Sequence, residues 1–186
     1  MSIIIALDIS LNSPGWCKID TGNGARTFDS LDYSKLAGME RIARASRDLV
    51  DLCRTADLVV MEGLSMGLPS FNGRAFVPQG RHDLVGLTYI VRLWLFNMKR
   101  NTFLVPPTVL KKWATGKGNS PKNIMLREVS HRWNVEAADD NQADAVALAE
   151  FGRAYLDWAI TGDMSGLPEF QRQCLPRAER LFEVAA

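Results

Sequence analysis

The stretch SIIIALDISLNSPGWCKIDTGNGARTFDSLDY, residues 2–33, decides the fold of this chain. Its first run, SIIIALDIS, is apolar and rich in isoleucine, which is typical of a buried strand. LNSPG then predicts a turn, GWCKID a second strand, and TGNG a hairpin connection into a third strand within ARTFDSLDY. We therefore expect three consecutive antiparallel strands at the start of the chain.

Helices and strands alternate in the rest of the sequence. DLVVMEG and TFLVPP predict two further strands, and apolar spacing predicts helices over residues 35–54, 81–99, 108–115, 120–133 and 141–159. Three strands followed by βα units indicate an α/β protein with a five-stranded mixed sheet flanked by helices. We expect one domain, residues 1–186, with a short extension after about residue 162 that includes a helix over residues 176–184.

Composition and charge narrow the class of protein. The chain has 186 residues, of which 47% are hydrophobic and 23% charged, as in folded soluble domains. No apolar run approaches the roughly 20 residues that span a bilayer, the N-terminus lacks the basic segment of a signal peptide, and three scattered cysteines fit a reducing cytoplasm. Residues 99–133 carry eight Lys or Arg and one acid, whereas residues 134–186 carry ten acids and four Arg. This asymmetry is typical of polyanion binding, although solvated helix faces produce it too.

Acidic residues stand at the ends of predicted elements. Asp8 follows the first strand, Glu62 ends the fourth, and Asp140 and Asp144 lie in DDNQADAVALAE at the start of the last long helix. Residues four apart share a helix face, so Asp140 and Asp144 can point the same way. Converging carboxylates raise one another's pKa, and hard divalent cations such as Mg²⁺ compensate the charge. Paired cations of this kind are a device for cutting phosphodiesters.

Several of these acids also have a structural interpretation. Asp8 can cap the turn after its strand, and Asp139 is interpreted as the N-cap of the helix. Asp140 is either a cap or a metal ligand, and Asn141 is a neutral oxygen donor that can serve instead. The alanines beside Asp144 allow the helix to approach the sheet closely, which favours a functional role for this residue.

Four blocks of the sequence, ALDISLNSPGW, VVMEG, PPTVLKKWATGKGNSPK and NQADAVALA, resemble in order and spacing those of RuvC-like Holliday-junction resolvases. The resemblance covers about residues 3–155 and implies an RNase H-like fold. It also implies a homodimer that cuts four-way DNA junctions symmetrically with Mg²⁺ or Mn²⁺, two ions per active site. The short length and divergent blocks suit a phage-encoded member that acts on DNA in the cytoplasm of a bacterium or of an infected host.

The resemblance assigns roles to the acids. Asp8 matches the carboxylate that bridges both metals, Glu62 the acid at the end of the fourth strand, and Asp144 the last acid of the helix motif. The family's other helix ligand stands three residues before the last acid, where this sequence has Asn141. We predict Asp140 as the fourth ligand, with Asn141 as the alternative.

The basic block implies contacts with DNA. Lys111 precedes a G-x-G turn, Lys117 lies within it, and Lys122 follows it. Glycines in such a turn let the backbone approach a phosphate closely. By the resemblance, Lys122 lies near the reacting phosphate, where a cation stabilises developing charge. The alternative is that these lysines only solvate a loop.

Two other segments are implicated in binding. By the resemblance, an aromatic residue in the loop over residues 64–80 stacks on a base near the crossover, which predicts DNA contacts from Phe71 or Phe76 and from Arg74. The alternative is that either aromatic packs the loop against the long helix. That helix, Arg81–Lys99, is apolar almost all round, which predicts burial on two sides and a dimer interface.

Together these features predict a metal-dependent, structure-selective DNA endonuclease, a crossover junction endodeoxyribonuclease that leaves 5′-phosphate ends. Two other functions remain open. One is a branched-DNA-binding module without catalysis, which the Asn141 departure makes conceivable. The other is an actin- or sugar-kinase-like ATPase, which starts with a similar strand and hairpin but needs a second phosphate-binding hairpin and a longer chain.

Overall fold

A computed structural model describes residues 1–64, 70–71, 74–75 and 80–181 of this chain. The described strands are β1 (Ile3–Asp8), β2 (Gly15–Asp20), β3 (Arg26–Ser30), β4 (Leu58–Glu62), β5 (Ser70–Phe71), β6 (Arg74–Ala75), β7 (Thr102–Val105) and β8 (Glu179–Arg180). The helices are α1 (Gly38–Leu52), α2 (Arg81–Asn97), α3 (Pro107–Thr115), α4 (Lys122–Trp133), α5 (Asp140–Thr161) and α6 (Glu169–Arg172), and a 3-10 turn spans Leu175–Arg177. No helix in the described part of the chain is long and apolar enough to cross a membrane.

The main sheet has six strands in the order β3-β2-β1-β4-β7-β8. The first three strands form the expected antiparallel meander, whereas β4 and β7 run parallel to β1. Parallel neighbours need crossover connections, and α1 and α2 provide them. The carboxyl ends of β1, β4 and β7 therefore lie side by side at one edge of the sheet.

Helices cover both faces of this sheet. On one face, α1 and α2 pack over the odd-numbered residues of β1 and β4, represented by Leu7 and Met61. On the other face, α5 packs over the even-numbered residues, represented by Ala6 and Val60, and α3 and α4 pack against α5. Both faces of the central strands are thus apolar, which explains why IIIAL and LVVM are continuous hydrophobic runs rather than alternating ones.

Two glycines allow α5 to lie close to the sheet. A Cβ at Gly152 would come within 2.6 Å of Val60, and a Cβ at Gly15 would clash with the carbonyl oxygen of Asn141 at the start of the helix. The alanines of α5 on the same side, including Ala145, are fully buried. Small residues thus bring the N-terminus of α5 against β1 and β2, as the sequence predicted.

The α/β class and the mixed sheet are confirmed, but the prediction of five strands is wrong. The sixth strand, β8, pairs antiparallel with β7. The helix predicted over residues 176–184 is also wrong in its described part, where a 3-10 turn ends at Arg177 and β8 follows. The free edge of β7 provides unpaired backbone groups, and the returning chain bonds to them instead of continuing a helix.

Candidate functional site

Asp8 and Glu62 lie side by side at the carboxyl edge of the sheet. Leu7 of β1 is in register with Met61 of β4, so the next residues along these parallel strands are Asp8 and Glu62. Both belong to the even-numbered positions that face α5. Asp8 is only 7% exposed, and Glu62 is partly buried. Pairing of adjacent parallel strands therefore brings together two acids that are far apart in the sequence.

The start of α5 brings the second pair of acids to the same edge. Asp8 is in register with Gly15, and Gly15 contacts the backbone of Asn141. Asp140 is the first residue of α5, and Asp144 lies one turn further along the helix. The close contact at Gly15 thus places the first turn of α5 beside β1.

The N-cap of α5 is Asp139, as predicted. Its side chain accepts a hydrogen bond from the backbone N–H of Gln142 at 2.8 Å, and Ser30 donates its hydroxyl to the other carboxylate oxygen at 3.2 Å. The cap therefore also ties α5 to the end of β3. Asp140 is left free of this capping role.

The acids share one electrostatic environment. Burial raises the pKa of Asp8 well above its usual range, and the carboxylates of Asp144, Glu62 and Asp140 raise it further. Burial and the nearby Asp144 raise the pKa of Glu62 to about 7. Burial and Asp140 raise the pKa of Asp144 to about 6. Negative charge at this edge is thus only partly compensated, which favours binding of a cation.

Lys122 supplies part of the compensating charge. It is the first residue of α4, and its ammonium group pairs with the carboxylate of Asp140. This pair lowers the pKa of Asp140 and raises that of Lys122. Lys111 on α3 also acts on the acids, since its charge lowers the pKa of Glu62 and Asp144. Both lysines of the basic block therefore reach the acids.

Lys117 lies apart from this group. It is exposed on the turn between α3 and α4, and its backbone carbonyl accepts hydrogen bonds from the hydroxyls of Thr115 and Ser120. Gly116 in the same turn has a φ of +83°, which suits glycine. The turn is therefore held in a defined shape with its lysine side chain in solvent.

A groove of about 620 Å³ opens beside the acids, and its lining includes Glu62 and Asp140 but not Asp8 or Asp144. Lys122, Asn141 and residues from the start of α2 also line it. Asp140 and Asn141 both reach this groove, so either can contribute an oxygen atom. The choice between them stays open.

The donor chemistry fits a hard divalent cation, because every candidate ligand presents oxygen. Among the residues that the structure describes, however, no three His, Cys, Asp or Glu side chains stand together in a metal-binding arrangement. One reason is visible in the pairing of Asp140 with Lys122, which holds one of the carboxylates. The acids are thus close enough to shift one another's pKa but are not arranged as a closed ligand set.

The predicted DNA-contacting loop is described only in part. The backbones of Phe71 and Arg74 pair in the short β5–β6 hairpin, which follows the end of β4. Phe76 lies outside the described residues.

Gln142 is a residue that sequence reasoning missed. It is 8% exposed; its side-chain amide donates to Asp29 and Ser30 on β3, each at 3.3 Å, and its carbonyl accepts from the backbone of Ala138 at 2.9 Å. These bonds fix the first turn of α5 against the sheet. Nothing in the sequence singles out Gln142, because it stands among the polar residues Asp140, Asn141 and Asp144 at the start of the helix.

Comparisons with known proteins show the fold. No family model matches the sequence, and no curated protein matches it. Among solved structures the chain is similar to RuvC of Thermus thermophilus, with a TM-score of 0.59, 16% identity, and coverage of 86% of this chain and 96% of that one. The T. thermophilus RuvC structure in complex with Holliday junction substrate matches with a TM-score of 0.60, 16% identity, and coverage of 80% and 91%. The chain therefore has a RuvC-like fold of the RNase H type, as the sequence predicted.

Proposed function

We propose that this protein is a divalent-metal-dependent endonuclease that resolves four-way DNA junctions by paired nicks in the cytoplasm. The observation that carries the proposal is the convergence of Asp8, Glu62, Asp140 and Asp144, with Lys122, at the carboxyl edge of a RuvC-like fold. Buried acids with raised pKa values in a groove are typical of functional sites. The crossover-junction specificity is supported by the RuvC structure that contains a Holliday junction.

The acids would hold two Mg²⁺ or Mn²⁺ ions. When bound, such ions activate a water molecule and neutralise charge on the phosphate and the leaving 3′ oxygen, which leaves 5′-phosphate ends. Asp8 lies between Glu62 on one side and α5 on the other, so it can serve both ions. Asp144 and either Asp140 or Asn141 would complete the site from α5.

Lys122 would change partners during this reaction. In the free protein it neutralises Asp140. If Asp140 held a cation, the ammonium group of Lys122, which lines the groove, would be free to stabilise negative charge on the phosphate. Lys122 would thus act both before and during substrate binding.

DNA would approach the groove from both sides. Lys111 and Lys117 lie on the α3–α4 side, where they can bind backbone phosphates. The β5–β6 hairpin, with Phe71 and Arg74, follows the end of β4 on the way to α2. We propose that Phe71 or Phe76 stacks on a base at the crossover, while Arg74 contacts the backbone.

A homodimer would place two sites on opposite strands. The outer face of α2 exposes large apolar side chains: Leu93 58%, Trp94 53% and Phe96 54%. An apolar patch of this kind is typical of an association surface. We propose that a second copy covers it.

The test is cleavage of a labelled four-way junction beside linear duplex of the same sequence, with Mg²⁺, Mn²⁺ or chelator. The proposal expects paired nicks on the junction alone, only with metal. Asp8→Asn, Glu62→Gln and Asp144→Asn should each abolish cutting while junction binding persists. Asp163→Asn, an exposed acid in the C-terminal extension, is the matched control and should cut normally. Normal cutting by any of the three variants would remove that residue from the site.

The fourth ligand needs a separate comparison. Asp140→Asn should reduce cutting strongly if Asp140 binds metal, whereas Asn141→Ala should do so if the amide is the ligand. A non-catalytic junction-binding module is the second candidate, because the described acids form no closed three-ligand set. Tight junction binding without cutting in either metal would establish it. Neither binding nor cutting would leave the ATPase alternative.

A further inference from the structure

A second cavity adjoins the groove along the carboxyl edge of the sheet. It has a volume of about 310 Å³ and lies beyond β4, between α2 and the ends of β7 and β8. Gly63, Leu64 and Pro107 line both this cavity and the groove beside the acids. The two spaces are therefore neighbours that share part of their walls.

Arg92 of α2 lines this second cavity without an acidic partner. Its side chain is partly buried, and its Nε is buried with no hydrogen-bond partner within the described part of the chain. Its guanidinium group lies 5.4 Å from the ring centroid of Tyr89, which orients it. Partial burial lowers the pKa of Arg92, and no carboxylate among the described residues offsets this effect.

Other partly buried arginines of this fold have partners. Arg26 pairs with the buried carboxylate of Glu150, and Arg100 donates to the carbonyl of Ala56 at 2.9 Å. The Nε atoms of these two arginines also lack a hydrogen-bond partner, so Arg92 differs from them in having no ion pair or hydrogen bond to a described residue. An arginine that is desolvated and unpaired costs free energy, which a bound anion recovers. Arg92 is thus available to bind an anion that does not belong to the described part of the chain.

We infer that Arg92 binds a backbone phosphate of the DNA strand that passes over the acids. This inference rests on the proposed function. A DNA phosphate is favoured over an acidic residue of a second copy because the cavity shares three wall residues with the catalytic groove. Arginine also suits phosphate oxygens through two parallel N–H donors. Glu179 is exposed and lines the same cavity, so its charge would oppose a bound phosphate.

The experiment measures junction affinity as a function of salt concentration. All proteins carry Asp8→Asn, so that the junction stays intact in Mg²⁺, and affinity is read from the anisotropy of a labelled four-way junction. Arg92→Gln should weaken binding about tenfold at moderate salt. It should also reduce the slope of log affinity against log salt by about 0.9 for each duplex phosphate that the protein no longer neutralises. Arg92→Lys should retain most of the slope, and Glu179→Gln should bind more tightly.

Arg54→Gln is the matched control. Arg54 is an exposed arginine on the α1 side that pairs with Asp51 at 2.8 Å, and its replacement should leave affinity and slope unchanged. An unchanged slope for Arg92→Gln would overturn the inference, even if affinity fell, because packing damage alone does not alter counterion release. Thermal denaturation shows whether the variant is folded.

Three other outcomes distinguish the inference from its alternatives and from a failure of the proposed function. A shift of Arg92→Gln from dimer to monomer in sedimentation, with an unchanged slope, would assign Arg92 to a protein interface and overturn the inference. Stabilisation by inorganic phosphate that Arg92→Gln abolishes, with junction binding intact, would assign the cavity to a small anion instead. If the parent protein binds no junction at all, the proposed function itself fails.

Discussion

Replacement of Glu62 by glutamine should stabilise the metal-free protein at alkaline pH. Burial and the neighbouring Asp144 raise the pKa of Glu62 from 4.5 to about 7. Between these values the folded protein binds more protons than the unfolded chain, so its free energy of unfolding falls as pH rises through this window. A shift of this size corresponds to about 3 kcal/mol at pH 8, which Glu62→Gln should recover.

The measurement is thermal denaturation with chelator at pH 5 and pH 8. At pH 8 the Tm of Glu62→Gln should exceed that of the wild type by several degrees, since about 1 kcal/mol corresponds to about 2–4 °C for a chain of this length. At pH 5 the wild-type carboxyl is protonated, so the difference should be small. Glu136→Gln, which neutralises an exposed acid, should behave like the wild type at both pH values.

Divalent metal provides the second arm of this experiment. Under the proposed function, saturating Mg²⁺ should stabilise the wild type through binding to the folded state, and it should stabilise Glu62→Gln less because that variant lacks one proposed ligand. The reasoning is refuted if the Tm difference between the two proteins is the same at pH 5 and pH 8. It is also refuted if Glu62→Gln is the less stable protein at pH 8 with chelator.

Four further predictions follow from the packing of α5 and α2. Gly15→Ala should lower the free energy of unfolding by about 1–3 kcal/mol and impair cleavage, because the new Cβ clashes with the carbonyl of Asn141. Gly86→Ala, which meets open space in a helix, should be neutral or stabilising by up to about 1 kcal/mol in urea denaturation. Gln142→Ala should cost about 1–3 kcal/mol and reduce the single-turnover cleavage rate more than junction affinity, and equal reductions in both would contradict a positioning role. Trp94→Glu should convert the proposed dimer to a monomer in analytical ultracentrifugation and replace the proposed paired nicks by single ones, whereas an unchanged mass would exclude this face of α2 as the interface.

Local sequence patterns predicted most elements of this fold. The helices at α3, α4 and α5 begin and end within two residues of their predicted bounds, because apolar spacing and flanking proline or glycine act over a few residues. The C-terminal tail was not predicted in this way, because β8 forms only by pairing with β7, which is distant in the sequence. Glu179–Arg180 has little strand character alone, and it is extended because the edge of β7 accepts it.

The candidate site also combines features that are visible in the sequence with features that only the folded structure reveals. Their placement at the ends of strands and at the start of a helix is visible in the sequence, because each position is defined by its immediate neighbours. The pairing of Lys122 with Asp140 and the contacts of Gln142 with β3 are not, since they join segments that meet only after folding. Likewise, nothing in the sequence identifies Arg92 as an anion-binding residue, since it is an arginine within an apolar helix.

The sequence by itself determined the strands and helices, the acidic residues that end them, and the small residues that allow α5 to approach the sheet. Only the tertiary structure decided that β1 lies beside β4, that β8 closes the far edge, and that the groove beside the acids shares part of its walls with the cavity at Arg92. The reason is physical. Periodicity and turn chemistry act between neighbours in the chain, whereas burial, charge pairing and cavity shape depend on which distant segments pack together.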